Sequence, residues 1–196
     1  MCTAAIILTG GRSSRFGGRH TPGLEIAGSP VIASLLSSVE AAGVGEILVC
    51  GSPAGIEAGM LDRLRLVEEK PTFGGPLHGI SCALAALSAG ERIILVLAGD
   101  MPSVSAALLD RLRAAVTAGT PAAAVDPRGR VQFLCAAWPE ATLRDALTGV
   151  GPTAGLPVRA LYRSRDVTLV PATEVELIDI DTPADLARAE RAAQID

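Results

Sequence analysis

One lysine, Lys70, stands among the 196 residues, and that scarcity narrows the chemistry at once. A P-loop needs lysine directly after its glycines, and the glycine-rich stretch near the N-terminus has none. Aromatic residues make up 3% of the chain, which leaves little for stacking on single-stranded nucleic acid. With a net charge of −4, the chain is also a poor general polyanion binder, so no nucleic-acid partner is expected. Two histidines, His20 and His78, are too few for a histidine metal cage. Cys2, Cys50, Cys82 and Cys135 are widely spaced and contain no C-x-x-C pair. Cys50 and Cys135 lie in apolar runs and read as buried free thiols rather than disulfide or zinc partners. No apolar run is long enough to span a bilayer, and the chain opens straight into a strand without a basic, apolar leader. The expectation is a cytoplasmic protein with no membrane partner.

What the chain does have is aliphatic bulk: 49% of its residues are hydrophobic. Its length suits one domain covering 1–196 with a full core. Short apolar runs alternate with helical patterns, which predicts an α/β fold. That fold is a Rossmann-like, mostly parallel sheet with helices on both faces and a β-hairpin insertion. The run Ala4 to Leu8 reads as the first strand. It breaks into Gly10-Gly11-Arg12-Ser13-Ser14-Arg15, followed by Gly17-Gly18-Arg19. Glycines let backbone N–H groups approach an anion, and arginine forks match phosphate oxygens. The plain alternative is a glycine-rich surface turn with solvated arginines. The adjacent first glycines exclude the Gly-x-Gly-x-x-Gly dinucleotide fingerprint.

Further along, Ser29-Pro30 reads as the cap and first residue of a helix whose apolar positions are 31, 32, 35, 36 and 39. Glu46 to Cys50 is a second strand, a short helix is expected within Pro53 to Gly59, and Leu64 to Glu68 is a weaker strand. Gly74-Gly75-Pro76-Leu77-His78-Gly79 then opens a helix over Leu77 to Leu87, whose N-terminal N–H groups could face a ligand. Arg92 to Ala98 is the strongest strand, aliphatic throughout, and so central and covered on both faces. It ends in Gly99-Asp100-Met101-Pro102. Ligands of open α/β sheets sit at such carboxyl ends, where a freed carboxylate can hold a divalent metal. A cap or turn former is the alternative for Asp100. A helix over Ser105 to Ala118 follows, capped by Ser103 or Ser105. Ala122 to Val125 and Val131 to Trp138 form the hairpin, with Trp138 in the core. The remaining expectations are a helix over Ala141 to Leu147, a loop from Gly149 to Gly155, a helix over Val158 to Ser164 and a strand over Val167 to Val170. A last helix is capped by Thr182 with Pro183 at its first position.

Three stretches together resemble the MobA-like molybdenum cofactor guanylyltransferases, a group within the nucleotidyltransferases. They are Leu8-Thr9-Gly10-Gly11-Arg12-Ser13-Ser14-Arg15-Phe16-Gly17, Gly75-Pro76-Leu77-His78-Gly79 and Ala98-Gly99-Asp100-Met101-Pro102. The resemblance runs from Leu8 to Leu186 and implies the nucleotide-diphospho-sugar transferase-like fold. It implies transfer of GMP from GTP to molybdopterin with Mg²⁺ held by Asp100. It also implies Arg15 and Asp100 as catalytic residues, and nucleotide contacts from Leu8, Gly10, Gly11, Arg12, Ser13, Ser14, Arg15, Thr21, Glu69, Gly75 and Asp100. Gly10-Gly11 leans towards guanine, which Glu68 or Glu69 could recognise; a solvated strand end is the equal alternative for those two. Asp179 and Asp181 match a segment that in the family lies near the acceptor.

Two positions depart from the pattern. Thr9 stands for alanine, and Thr21 stands where the family has a phosphate-contacting lysine. Losing one preorganised cationic donor costs on the order of 10²–10³ in rate. Arg19 or Lys70 could replace it; His20 is a poor substitute near pH 7. The alternatives are therefore a relative using CTP or another phosphorylated acceptor, and a nucleotide-binding homologue with impaired catalysis.

Overall fold

The computed structural model describes residues 2–10 and 20–193. In chain order, β1 (Cys2–Thr9) is followed by a 3₁₀ turn (Thr21–Gly23) and a two-stranded ribbon, β2 (Glu25–Ile26) and β3 (Ser29–Pro30). Then come α1 (Val31–Ala41), β4 (Glu46–Gly51), α2 (Ala58–Leu61), β5 (Arg65–Val67), α3 (Pro76–Ala86) and β6 (Arg92–Ala98). The second half contains α4 (Ala106–Ala115), β7 (Ala122–Val125), β8 (Val131–Pro139), α5 (Glu140–Val150), a 3₁₀ helix (Val158–Tyr162), β9 (Thr168–Pro171) and α6 (Pro183–Ala193).

Among the described residues, seven strands make one sheet in the order β5-β4-β1-β6-β8-β7-β9. β8 alone runs against its neighbours β6 and β7; the other pairings are parallel. The α/β, mostly parallel architecture follows from the alternation of elements, and the predicted hairpin is β7–β8, built into the sheet.

Alternation along the strands separates two cores. Ala5, Ile7, Val49, Leu95 and Leu97 face α1 and α4. Ile6, Leu8, Leu48, Ile94, Val96 and Trp138 face α3, α5 and the second 3₁₀ helix. β6 is aliphatic from Ile93 to Ala98 because both its faces are covered. Trp138 is fully buried, as expected; its indole N–H donates to the Tyr162 hydroxyl at 3.1 Å, which donates to the Phe133 carbonyl at 3.1 Å.

Some local expectations give way to tertiary contacts. Ser29 does not cap α1: the Val31 N–H donates to the Leu24 carbonyl at 2.7 Å, and Ser29–Pro30 pair instead with β2. The short helix expected within Pro53 to Gly59 begins only at Ala58 and runs on to Leu61, after a turn at Ala54–Gly55 where Gly55 has φ +85°. α4 stops at Ala115 because Val116 is extended and Thr117 bridges to Thr120. Ser105 does cap it, accepting from the Leu108 N–H at 3.1 Å. The helix expected over Val158 to Ser164 is a 3₁₀ helix that ends at Tyr162. Thr182 and Asp185 exchange bonds at the start of α6, Asp185 accepting from the Thr182 N–H at 2.9 Å and donating its own N–H to Thr182 Oγ1 at 3.3 Å. Among the described residues no helix is long and apolar enough to cross a membrane.

Candidate functional site

The parallel strands β1, β4 and β6 finish side by side at Thr9, Gly51 and Ala98. Glycines let the chain leave this edge closely packed. A Cβ on Gly51, whose φ is +122°, would lie 2.4 Å from the Gly10 nitrogen, and one on Gly99 would lie 2.8 Å from Thr9 Cγ2. The Gly99 N–H donates to the Leu8 carbonyl at 2.8 Å. Thr9, which stands for alanine, is accommodated at this junction: its hydroxyl donates to the Cys50 carbonyl at 3.3 Å.

Beside the edge lies a cavity of about 320 Å³, walled by Leu8, Gly10, Glu69, Phe73, Gly75, Pro76, Ala98, Asp100 and Leu134. Five sequence-predicted residues meet here: Leu8, Gly10, Glu69, Gly75 and Asp100. The two glutamates separate. Glu68 is exposed and pairs with Lys70 at 3.5 Å. Glu69 turns inward, its Oε1 2.8 Å from where a Gly10 Cβ would be and 3.0 Å from that of Gly79. The Cys50 thiol is pushed up to about 12 by burial first and then by the Glu69 carboxylate.

Asp100 sits two residues past the end of β6, after Gly99. Burial first, then the Asp179 and Asp181 carboxylates, push its pKa up to about 6. Its carbonyl accepts the Ile180 N–H at 3.0 Å, which ties the strand end to the Asp179–Asp181 segment. Burial, followed by Asp181 and Asp185, raises Asp179 as well. Among the described residues no three acidic, histidine or cysteine side chains form a metal cage. Mg²⁺ does not need one, since it takes one or two carboxylates and completes its shell with phosphate oxygens and water.

A second cavity of about 490 Å³ shares Gly10, Glu69 and Phe73 with the first and adds His20, Gly51, Ser52, Glu68, Lys70 and Thr72. Thr21 occupies the 3₁₀ turn next to His20, whose pKa burial lowers. His20 is therefore neutral and no substitute for a lysine, whereas Lys70 reaches this cavity. Gly11, Arg12, Ser13, Ser14 and Arg15 lie outside the described residues. Sequence reasoning missed Phe73 and Gly51, because nothing local marks an exposed aromatic or a strand-end glycine as part of a site.

A family model described as the MobA-like NTP transferase domain matches residues 5–169. The chain belongs to this family. Over 110 residues it is 36% identical to a molybdenum cofactor guanylyltransferase of Pseudomonas fluorescens, covering 56% of this chain and 54% of that one. Over 121 residues it is 36% identical to the bifunctional protein GlmU of Trichlorobacter lovleyi, covering 57% of this chain and 25% of that one. The chain thus spans about half the length of the first and a quarter of the second. A solved nucleotidyl transferase from Methanothermobacter thermautotroptrophicus superposes with a TM-score of 0.81 at 25% identity, covering 100% of this chain and 99% of that one. The matched stretch takes in every wall residue of the 320 Å³ cavity, from Leu8 in β1 to Leu134 in β8.

Proposed function

We propose that this chain is a single nucleotidyltransferase domain that transfers GMP from GTP to molybdopterin, with Mg²⁺ bound at Asp100. The observation that carries the reading is Asp100 itself, a half-buried carboxylate just past the end of the central strand, opening on a cavity shared with Gly10 and Glu69. A carboxylate held up by burial and by two further carboxylates suits a divalent cation, which relieves that repulsion. Mg²⁺ bound there supplies charge neutralisation across the phosphates.

The chain's own residues then have distinct work. Gly10 offers a backbone approach to phosphate, in keeping with the roles expected of Gly11, Arg12, Ser13, Ser14 and Arg15. Glu69, turned into the cavity, accepts the guanine N1–H and amino group, with Leu8 and Gly75 as walls. The acceptor phosphate attacks the α-phosphorus, the α–β bridging bond breaks and pyrophosphate leaves. A phosphate acceptor is already ionised, so positioning and charge carry the reaction and no side-chain base is required. Asp179 and Asp181 flank the acceptor side.

A second reading, a nucleotide-binding homologue with impaired catalysis, is favoured by Thr21 in place of lysine. Titrating GTP, CTP and ATP with Mg²⁺ into the protein, and following pyrophosphate release with molybdopterin, separates the two. GTP preference with release supports the guanylyltransferase reading. CTP preference points to a relative with another substrate, and binding without release points to the impaired homologue. No Mg²⁺-dependent binding overturns the nucleotide reading.

A further inference from the structure

The loop that walls the nucleotide cavity is held from behind by one imidazole. His78 Nε2 lies 3.0 Å from the Lys70 carbonyl, and Nδ1 lies 3.0 Å from Thr153 Oγ1. A carbonyl only accepts, so Nε2 carries the proton, and in the neutral ring Nδ1 accepts from the buried Thr153 hydroxyl. The same ring packs against Gly74, where a Cβ would lie 2.4 Å from His78 Cδ2. Beside it, the Gly155 N–H donates to the Gly74 carbonyl at 2.8 Å.

Two chain segments thus converge on His78 in the first turn of α3: the stretch 70–75 and the loop 151–155. The first of these carries Phe73 and Gly75 into the cavity and starts next to Glu69. Phe73 is 62% exposed and holds a φ of +60°, a conformation that a bulky residue keeps only when its surroundings enforce it.

We infer that His78 is a positioning residue for the nucleotide site, acting through the 70–75 loop to set Glu69, Phe73 and Gly75 before the base arrives. The inference rests on the nucleotide reading above. Ordering a wall in advance lowers the entropy lost on binding, so the latch acts on nucleotide affinity and base discrimination and leaves the transfer step alone.

The test titrates GTP, CTP and ATP with Mg²⁺ into wild type, His78→Ala, His78→Gln and Thr153→Val, alongside amide exchange at Gly155. His78→Ala should weaken nucleotide binding by about tenfold, compress the ratio between bases and speed Gly155 exchange, with kcat nearly unchanged. Thr153→Val, which breaks one bond only, should cost about threefold. His78→Gln, which keeps a donor towards Lys70, should recover part of the loss. If His78→Ala does not fold, Thr153→Val carries the same comparison. Variants that bind within about twofold of a wild type that itself binds would overturn the latch. A wild type that binds none of the three overturns the nucleotide reading, and the latch's role in it falls too.

Discussion

Asp100 is costly to the fold. Its pKa is about 6 in the folded chain against 3.8 for an ordinary aspartate. Below pH 3.8 it is protonated in both states and contributes nothing. Between pH 3.8 and about 6 the unfolded chain gives up the proton first, so the folded state is the better proton binder and loses stability as pH rises. Above about pH 6 the full penalty applies, on the order of 3 kcal/mol. Asp100→Asn should therefore raise stability at pH 7 to 8 in EDTA and flatten its dependence between pH 4 and 6, read from denaturant melts across pH. The same variant should lose Mg²⁺-dependent nucleotide binding in calorimetry. Gain of stability with loss of binding is the mark of a residue kept for function. Thr21 is the opposite case, a residue whose replacement should restore something. Thr21→Lys should raise the pyrophosphate release rate by about 10² if the phosphate contact is missing. An unchanged rate would mean that Lys70 or an arginine already makes it.

At the scale of elements, the site depends on how closely three strand ends can approach. Gly51 makes this possible for β1 and β4. Its φ of +122° is outside the range of L side chains, and an added Cβ would meet the Gly10 backbone at 2.4 and 2.8 Å. Backbone cannot swing aside as a side chain does, so Gly51→Ala should cost about 2–4 kcal/mol in a urea melt and displace Gly10 from the cavity. Gly10→Ala makes a useful contrast. Its Cβ would meet only the far end of Glu69 at 2.8 Å, so stability should hold while nucleotide binding weakens.

Across the whole molecule, a buried charge cluster and the candidate site occupy opposite ends of the sheet. At the end away from the site, the Glu140 side chain is 1% exposed and pairs with Arg92 at 2.9 Å and with Arg144 at 2.7 Å. Arg92 also reaches Glu46 at 3.1 Å, and Arg144 donates to the Leu87 carbonyl at 3.1 Å. This cluster joins β6, α5, the start of β4 and the end of α3. Removing the buried negative charge leaves two arginines without their partner, a loss of about 3 kcal/mol. Glu140→Gln should lower the urea midpoint accordingly and leave nucleotide affinity unchanged, which calorimetry on the folded variant checks. The two sheet edges, β5 and β9, are short strands of three and four residues, which limits edge-to-edge pairing.

The sequence by itself determined the order of strands and helices, the covered central strand and the place of Asp100 just beyond its carboxyl end. These are written in local periodicity and in residues at strand ends, where each position's neighbours in sequence are also its neighbours in space. Glu69 could not be told from Glu68 that way; only the approach of Gly10 and Gly79 shows which one turns inward. Ser29 had the chemistry of a cap, yet the Leu24 carbonyl took the N–H it would have served. Gly51, Phe73 and the His78–Thr153 contact, whose partners are 75 residues apart, carry no local signal at all. They depend on which loops the sheet brings to its carboxyl edge, and long-range packing settles that only once the chain has folded.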